Sequence, residues 1–183
     1  MTDLSKFTDR LTDKDFLKVE LDNGISLDNP QFMDLAKHTI AQVNGYGAKI
    51  IDFGCGVGAY SKAAMDAGFQ VEAIEVFKAH RDYLKQNLPE LKIIKKLKNV
   101  DIMLFIEVAE HMTDNQIFSL FEEAHPIWIL FSSTPHRTPN DLAWGHINVK
   151  QPNEWDELFL KIGYRIHKHI SLPTEWSKIY QLI

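Results

Sequence analysis

The stretch Lys49-Ile-Ile-Asp-Phe-Gly-Cys-Gly-Val-Gly-Ala-Tyr60 decides the fold of this chain. A short apolar run ends at Asp52, glycines follow at positions 54, 56 and 58, and an amphipathic stretch comes next. This order predicts a strand, a tight turn and the start of a helix. Because glycine has no Cβ, such a turn lets the backbone approach a ligand closely, and the helix N-terminus adds N–H donors. The stretch therefore predicts a ligand site at the end of the first strand.

The next strand supports this interpretation. It carries an acid, Glu75, near its carboxyl end. An acid about 20 residues after a glycine turn is where a ribose diol is held, because one carboxylate accepts from both hydroxyls. The dinucleotide fingerprint G-x-G-x-x-G would need its third glycine at position 59, which is Ala59. The alternative for Glu75 is an ordinary solvent-facing glutamate.

Strands and helices alternate along the chain. The pattern predicts five helices, at 30–44, 60–67, 79–88, 113–125 and 153–162. It predicts seven strands, at 48–53, 70–76, 91–94, 101–106, 127–132, 164–171 and 178–183, with a short additional strand at 16–21. This alternation predicts an α/β fold with a doubly wound, mostly parallel sheet. We expect one domain over 1–183, in which 1–47 form an N-terminal cap segment and helix, and 48–183 the catalytic core.

Composition excludes several classes of protein. The chain has 183 residues, 45% of them hydrophobic and 25% charged, which are ordinary globular values. Its formal net charge of −5, with no sustained basic tract, argues against a nucleic-acid partner. The single cysteine, Cys55, excludes an internal disulfide. Without a long apolar run or a signal pattern, we expect a cytoplasmic protein with no membrane partner. Oligomeric state cannot be inferred.

The spacing G-x-G-x-G preceded by an acid resembles motif I of the class I S-adenosylmethionine-dependent methyltransferases. The resemblance spans about 48–183. It implies a Rossmann-like, seven-stranded sheet that ends in an antiparallel C-terminal hairpin, which the last two predicted strands would supply. It also implies S-adenosylmethionine as the cofactor, with Glu75 on its ribose. The methionine end would be held by Asp52, Gly54, Gly56 and Gly58.

A second cluster follows the fourth strand, in Phe105-Ile-Glu-Val-Ala-Glu-His-Met112. Glu107, Glu110 and His111 have E-x-x-E-H spacing at the strand end where open α/β sheets bind ligands. If this stretch forms one helical turn, both carboxylates and the imidazole share one face. Two oxygen ligands and one nitrogen are a partial shell for Mg²⁺, Mn²⁺ or Zn²⁺, and His146 is a candidate fourth ligand.

This cluster resembles the E-x-x-E-H…H signature of two methyltransferase groups, the small-RNA 3′-terminal 2′-O-methyltransferases and the ubiquinone-pathway O-methyltransferases. The resemblance implies that Glu107, Glu110, His111 and His146 hold a metal beside the acceptor hydroxyl. It makes Glu107, His111 and His146 the catalytic candidates, with Glu107 also beside the cofactor. A metal-free site in which His111 is the general base is the competing interpretation.

The loop after the fifth strand carries the acceptor-side candidates, His136, Trp144, His146 and Asn148. The predicted reaction is methyl transfer to a small molecule or sugar, at oxygen. Two alternatives stay open: a metal-dependent RNA-end 2′-O-methyltransferase and a non-catalytic S-adenosylmethionine-binding module. The four lysines at 92, 95, 96 and 98 are either a phosphate-attracting group or a solvated connection.

Overall fold

The computed structural model describes residues 12–139 and 141–183, built around one seven-stranded sheet. The sheet has the order β3-β2-β1-β4-β5-β7-β6. Neighbours among the first five strands pair parallel, whereas β7 is antiparallel to both β5 and β6. The strands are β1 Lys49–Phe53, β2 Gln70–Ile74, β3 Lys92–Ile93, β4 Ile102–Ile106, β5 Trp128–Ser132, β6 Tyr164–His169 and β7 Lys178–Leu182. The predicted fold class is confirmed, including the antiparallel end.

Seven helices accompany the sheet in the described part of the chain. They are α1 Asp13–Asp22, α2 Pro30–Ala41, α3 Ala59–Asp66, α4 Lys78–Asn87, α5 Asp114–Ala124, α6 Asp141–Trp144 and α7 Pro152–Ile162. Helices α5 and α7 pack on one face of the sheet, and α2 and α3 pack on the other. Every residue of β4 is buried, with Met103 and Phe105 in one core and Leu104 in the other. This is why β4 reads as a continuous apolar run.

Local signals set the helix ends. The Asn29 side chain accepts hydrogen bonds from the first turn of α2, with Pro30 at its first position. Thr113 and Gln116 form a capping box at the start of α5. Gly163 ends α7 in the left-handed conformation. The predicted boundaries of these helices therefore hold to within a few residues.

The predicted strand at 16–21 is wrong, because these residues belong to helix α1. Thr12 caps this helix by accepting from Asp15 N. Phe16 and Val19 are both buried, which is the i, i+3 spacing of a helix face. A short apolar run does not distinguish strand from helix by itself. Residues 1–11 of the predicted cap segment lie outside the described residues, and the short helix α6 was not predicted.

The start of β1 is tied to the start of β4. Asp101 Oδ2 accepts hydrogen bonds of 2.8 and 2.9 Å from the backbone N–H groups of Ala48 and Lys49. Gly47 packs directly against the Asp101 side chain. These contacts fix the two central strands, so their carboxyl ends meet β2 and β5 at one edge.

No helix in the described part of the chain is long and apolar enough to cross a membrane.

This clamp predicts the effect of two neighbouring glycine substitutions. Gly47→Ala is expected to lower the free energy of unfolding by about 3 kcal/mol or more, since left-handed backbone and overpacking both cost energy. The new Cβ would lie 2.2 Å from Asp101 Cβ, at a φ of +149°. Gly45→Ala is the control, because its φ is also positive but no atom lies within 4 Å of the added Cβ. It should cost about 1 kcal/mol. Urea denaturation measures both, and equal losses would contradict the clamp.

Candidate active site

A cavity of about 600 Å³ opens at the carboxyl-terminal edge of the parallel strands. Its walls come from the turn after β1, the ends of β2 and β4, helices α1 and α4, and the loop that carries α6. Eight residues singled out from the sequence line it: Gly54, Gly56, Glu75, Glu107, Glu110, His111, Trp144 and His146. Cofactor-side and acceptor-side candidates therefore share one space.

The glycine turn is bonded to the neighbouring strand. Gly54, Gly56 and Gly58 all have positive φ angles, of 73°, 51° and 81°. The N–H groups of Gly54 and Cys55 both donate to the carbonyl of Ile74, at 2.8 and 3.2 Å. Non-glycine residues rarely adopt such angles, so three glycines let the chain turn this tightly beside β2.

Glu75 joins the turn to the segment after β2. Its Oε2 accepts from Gly56 N at 2.9 Å, and its Oε1 accepts from Phe77 N at 2.8 Å. Burial raises the pKa of this carboxyl, while the two backbone N–H groups and His80 oppose the rise. Each carboxylate oxygen has two lone pairs, so the group can still accept from a ligand. Glu75 thus lies in the cavity wall as an oriented acceptor.

Asp52 and Gly58, predicted to contact the cofactor, lie behind the cavity wall. Asp52 is only 4% exposed and accepts a 2.6 Å hydrogen bond from Ser61 Oγ on α3. Burial raises its pKa to about 6; the Ser61 bond opposes this and Glu75 adds to it. Gly58 precedes α3, where an added Cβ would lie 2.6 Å from Leu84 Cδ2. Asp52 thus bonds to α3, and Gly58 lies close to α4, behind the turn.

The two acids after β4 bond to successive serines at the end of β5. Ser132 Oγ donates to Glu107, and Ser133 Oγ donates to Glu110 at 2.9 Å. Glu110 is 1% exposed, and burial together with the neighbouring Glu107 raises its pKa well above its usual range. The helical turn spans only Ala109–His111, and Glu107 precedes it with a φ of 53°. The sequence analysis considered one helical turn that would place both carboxylates and the imidazole on one face. The structure forms that turn only in part.

Two histidines complete this end of the cavity. His111 Nδ1 lies 3.3 Å from the carbonyl oxygen of Gly145, and the rings of His111 and His146 are 4.8 Å apart. The backbone carbonyl of Glu110 accepts from Ile147 N and Asn148 N, which holds the loop in place. Burial lowers the pKa of His146, although Asp141 and Glu107 oppose this.

Three of the four predicted metal ligands come together. One donor atom each from Glu110, His111 and His146 lies within 4.8 Å of the others. Two ligands bonded to one ion at about 2.1 Å lie at most about 4.2 Å apart. The donor types fit a divalent transition metal, and the side chains would have to move slightly inward to hold one. Glu107 is outside this group.

The residues that line the cavity without having been singled out from the sequence include Phe16 and Glu20 on α1, Phe77 directly before α4, and His80 on α4. The ring of Phe16 lies 5.2 Å from that of Trp144 and 6.0 Å from that of His111, centre to centre. Glu20 Oε2 lies 2.5 Å from His80 Nε2. The four-residue spacing of Phe16 and Glu20 places both side chains on one face of a helix. This spacing was the available sequence signal, but the prediction of a strand at 16–21 concealed it.

Other candidates lie away from the cavity. His136 is exposed and packs on Trp176, with ring centres 5.3 Å apart. The Asn148 side chain donates to Met112 O and to Asp114, both at 2.8 Å. Two members of the lysine run, Lys92 and Lys98, pair with Glu72 on the surface. Trp144, by contrast, does line the cavity.

Comparison with known proteins agrees with this geometry. Residues 27–175 match a family model described as a methyltransferase domain. No curated protein matches the sequence. A solved S-adenosylmethionine-dependent methyltransferase from Leishmania major is 18% identical, covering 93% of this chain and 81% of that one, with a TM-score of 0.67. The Synechocystis magnesium protoporphyrin IX methyltransferase ChlM with bound S-adenosylmethionine is 17% identical, covering 90% and 82%, with a TM-score of 0.58.

Some similar structures are longer than this chain. Mitomycin 7-O-methyltransferase MmcR is 16% identical, with a TM-score of 0.61 over 85% of this chain. The chain spans 55% of MmcR and 56% of the pyocyanin biosynthetic protein PhzM. At these identities the likeness shows the shared class I S-adenosylmethionine-dependent methyltransferase fold.

The buried Asp52 carboxyl predicts a pH dependence of stability. Its pKa rises from 3.8 to about 6 on folding, so the folded state binds the proton more tightly between these values. Stability from this group is therefore present at pH 4 and is lost as pH rises through 6, by about 3 kcal/mol. Asp52→Asn removes the titration. We expect the free energy of unfolding of the variant, relative to wild type, to increase by about that amount between pH 4 and pH 7.5. Denaturant titrations without ligand measure it; a difference independent of pH would contradict the assignment.

Proposed function

We propose that this chain, which belongs to the methyltransferase domain family, transfers a methyl group from S-adenosylmethionine to the oxygen of a small molecule. One observation carries the proposal. The glycine turn and Glu75 line the same cavity as His111 and His146. Methyl transfer needs donor and acceptor held together in a space that excludes water, and this arrangement supports it.

The charge of the cavity fits this cofactor. Four carboxylate side chains line it, from Glu20, Glu75, Glu107 and Glu110. The cavity-lining residues that the structure describes include no lysine or arginine. S-adenosylmethionine carries an electrophilic methyl group on a positively charged sulfur, so an acidic lining attracts it. Backbone of the glycine turn and the Glu75 carboxylate would position the methionine and ribose parts.

The same charge restricts the acceptor. A phosphate or carboxylate entering this cavity would meet these carboxylates and no lysine or arginine of the described lining, which is unfavourable. The acceptor is therefore an uncharged or cationic small molecule, and its apolar part would contact Phe16, Met112 and Trp144. An RNA end is a disfavoured acceptor because its phosphates would also meet these carboxylates. Lys92 and Lys98, which could bind phosphate, form ion pairs with Glu72 outside the cavity. The small-molecule O-methyltransferase MmcR, which shares the fold, supports an oxygen acceptor.

His111 is the proposed proton acceptor. If its Nδ1–H donates to the carbonyl of Gly145, its Nε2 carries the lone pair. An imidazole needs little adjustment of its pKa to take a proton from a hydroxyl near neutral pH. His146, whose pKa burial lowers, is a neutral neighbour that can orient the same hydroxyl. Glu110, held by Ser133, supports the loop that carries His146.

A metal-assisted variant of the same reaction is the second candidate. The converging donors of Glu110, His111 and His146 favour it. A divalent ion bound there would lower the pKa of an acceptor hydroxyl. A non-catalytic cofactor-binding module would need none of these groups. The cytoplasmic setting and the single-domain organisation remain predictions from the sequence.

The deciding experiment is a turnover screen that measures S-adenosylhomocysteine formation. The acceptor panel contains neutral phenols and alcohols, amines, free sugars, phosphorylated metabolites and short RNAs, each with and without a chelator. Turnover with uncharged or cationic small molecules is expected. Turnover limited to phosphorylated metabolites or RNA would contradict the acceptor class, and no turnover across the panel would favour the non-catalytic module.

His111→Gln tests the base with the best acceptor from that screen. We expect kcat to fall about 100-fold or more, the usual effect of removing a general base. The control is His136→Gln, an exposed histidine outside the cavity, which should stay within about twofold of wild type. Thermal melts verify that both variants are folded. Chelator-insensitive wild-type activity supports the metal-free mechanism. Activity that is lost with chelator and restored by Mn²⁺ or Zn²⁺ would replace it by the metal-assisted one.

Glu75→Gln tests the cofactor end. An amide has one oxygen acceptor, so it cannot receive both the Gly56 and Phe77 N–H groups and also a ribose. We expect the affinity for S-adenosylhomocysteine to fall about 5- to 100-fold by calorimetry. Glu72→Gln is the control, because Glu72 lies on β2, three residues before Glu75, but pairs with surface lysines. Equal affinities for wild type and Glu75→Gln would show that the ribose is held elsewhere.

A further inference from the structure

Glu20 on helix α1 reaches into the cavity beside the glycine turn. Its Oε1 is turned toward Gly56, since a Cβ added to that glycine would lie 3.5 Å from this oxygen. Gly56 N–H donates to Glu75 on its other side. Two carboxylates therefore flank one residue of the turn, and the negative charge of Glu20 contributes to the raised pKa of Glu75.

The Glu20 carboxylate lies beside the glycine turn, where the sequence analysis expected Asp52 to hold the methionine end of the cofactor. Asp52 is not among the residues that line the cavity, and it accepts a hydrogen bond from Ser61 on α3. The other two cavity acids, Glu107 and Glu110, are bonded to serines at the end of β5. Of the cavity carboxylates that the structure describes, Glu20 and Glu75 are those beside the turn, and Glu75 already accepts two backbone N–H groups.

Helix α1 holds Glu20 in this position through contacts with α4. Glu20 Oε2 pairs with His80 Nε2 at 2.5 Å, and the His80 ring is only 1% exposed. At the other end of α1, the Asp13 carboxylate accepts from Lys78 N and Ala79 N at 2.7 and 3.2 Å, which caps α4. The carboxylate of Glu20 is thus fixed by one oxygen and presents the other to the cavity.

We propose that Glu20 binds the α-ammonium group of the methionine part of S-adenosylmethionine, which makes helix α1 a wall of the cofactor site. This inference rests on the proposed function. An ammonium group has three N–H donors and a positive charge, so an oriented carboxylate is its strongest protein partner. Contact is noncovalent, and the same interaction is available to the demethylated product.

The test compares two ligands that differ in this group. S-adenosylhomocysteine has the amino-acid part, whereas 5′-methylthioadenosine keeps the nucleoside and thioether without it. Calorimetry with Glu20→Gln is expected to show S-adenosylhomocysteine bound about 10- to 100-fold more weakly than by wild type. The affinity for 5′-methylthioadenosine should change by less than about threefold. Glu122→Gln, an exposed glutamate on α5, is the matched control and should leave both affinities unchanged.

Each outcome decides between stated possibilities. A merely structural role for Glu20 in docking α1 would weaken both ligands in parallel, and that result would overturn the inference. Unchanged affinity of Glu20→Gln for S-adenosylhomocysteine would also overturn it. Failure of wild type to bind either compound would instead contradict the proposed function.

Discussion

The site is organised around the two backbone hydrogen bonds that Glu75 accepts. One comes from Gly56 in the turn after β1 and the other from Phe77 at the start of α4. A single buried carboxylate thereby fixes the distance between two loops that the parallel sheet only brings near each other. The N–H donors offset part of the free-energy cost of burying this charge. The glycine turn, the start of α4 and the ligand-facing oxygens are thus positioned by the same group.

Electrostatics determines what this framework can bind. The carboxylates of Glu20, Glu75, Glu107 and Glu110 gather in a cavity that sits in a chain of only moderate net charge. Burial, together with the neighbouring Glu107, raises the pKa of Glu110 well above its usual range, which limits the mutual repulsion of these groups. Under the proposed function, the sulfonium and ammonium groups of S-adenosylmethionine would relieve the repulsion that remains. The same charge imbalance is the basis of the proposed discrimination against anionic acceptors.

Sequence patterns predicted the sheet and most helices because strand β4, the glycine turn and the helix caps are local signals. The same patterns brought Glu75, Glu107, Glu110, His111 and His146 to one sheet edge. They failed where tertiary contacts decide the outcome. Helix α1 was mistaken for a strand because its burial depends on α4, which is distant in sequence. The cofactor role of Asp52 stays a prediction, and spacing could not show that its carboxylate accepts a hydrogen bond from Ser61. The His80–Glu20 pair joins residues 60 positions apart, and no local pattern encodes it.

Helix α1 ends at Asp22, whereas the shared domain model begins at residue 27. A fragment trimmed to that model would retain the turn and the β4 acids but would lack Phe16 and Glu20. Its cavity would be open on one side. The wall of the cavity that α1 supplies, with Phe16 and Glu20, therefore lies outside the part of the chain that the family model matches.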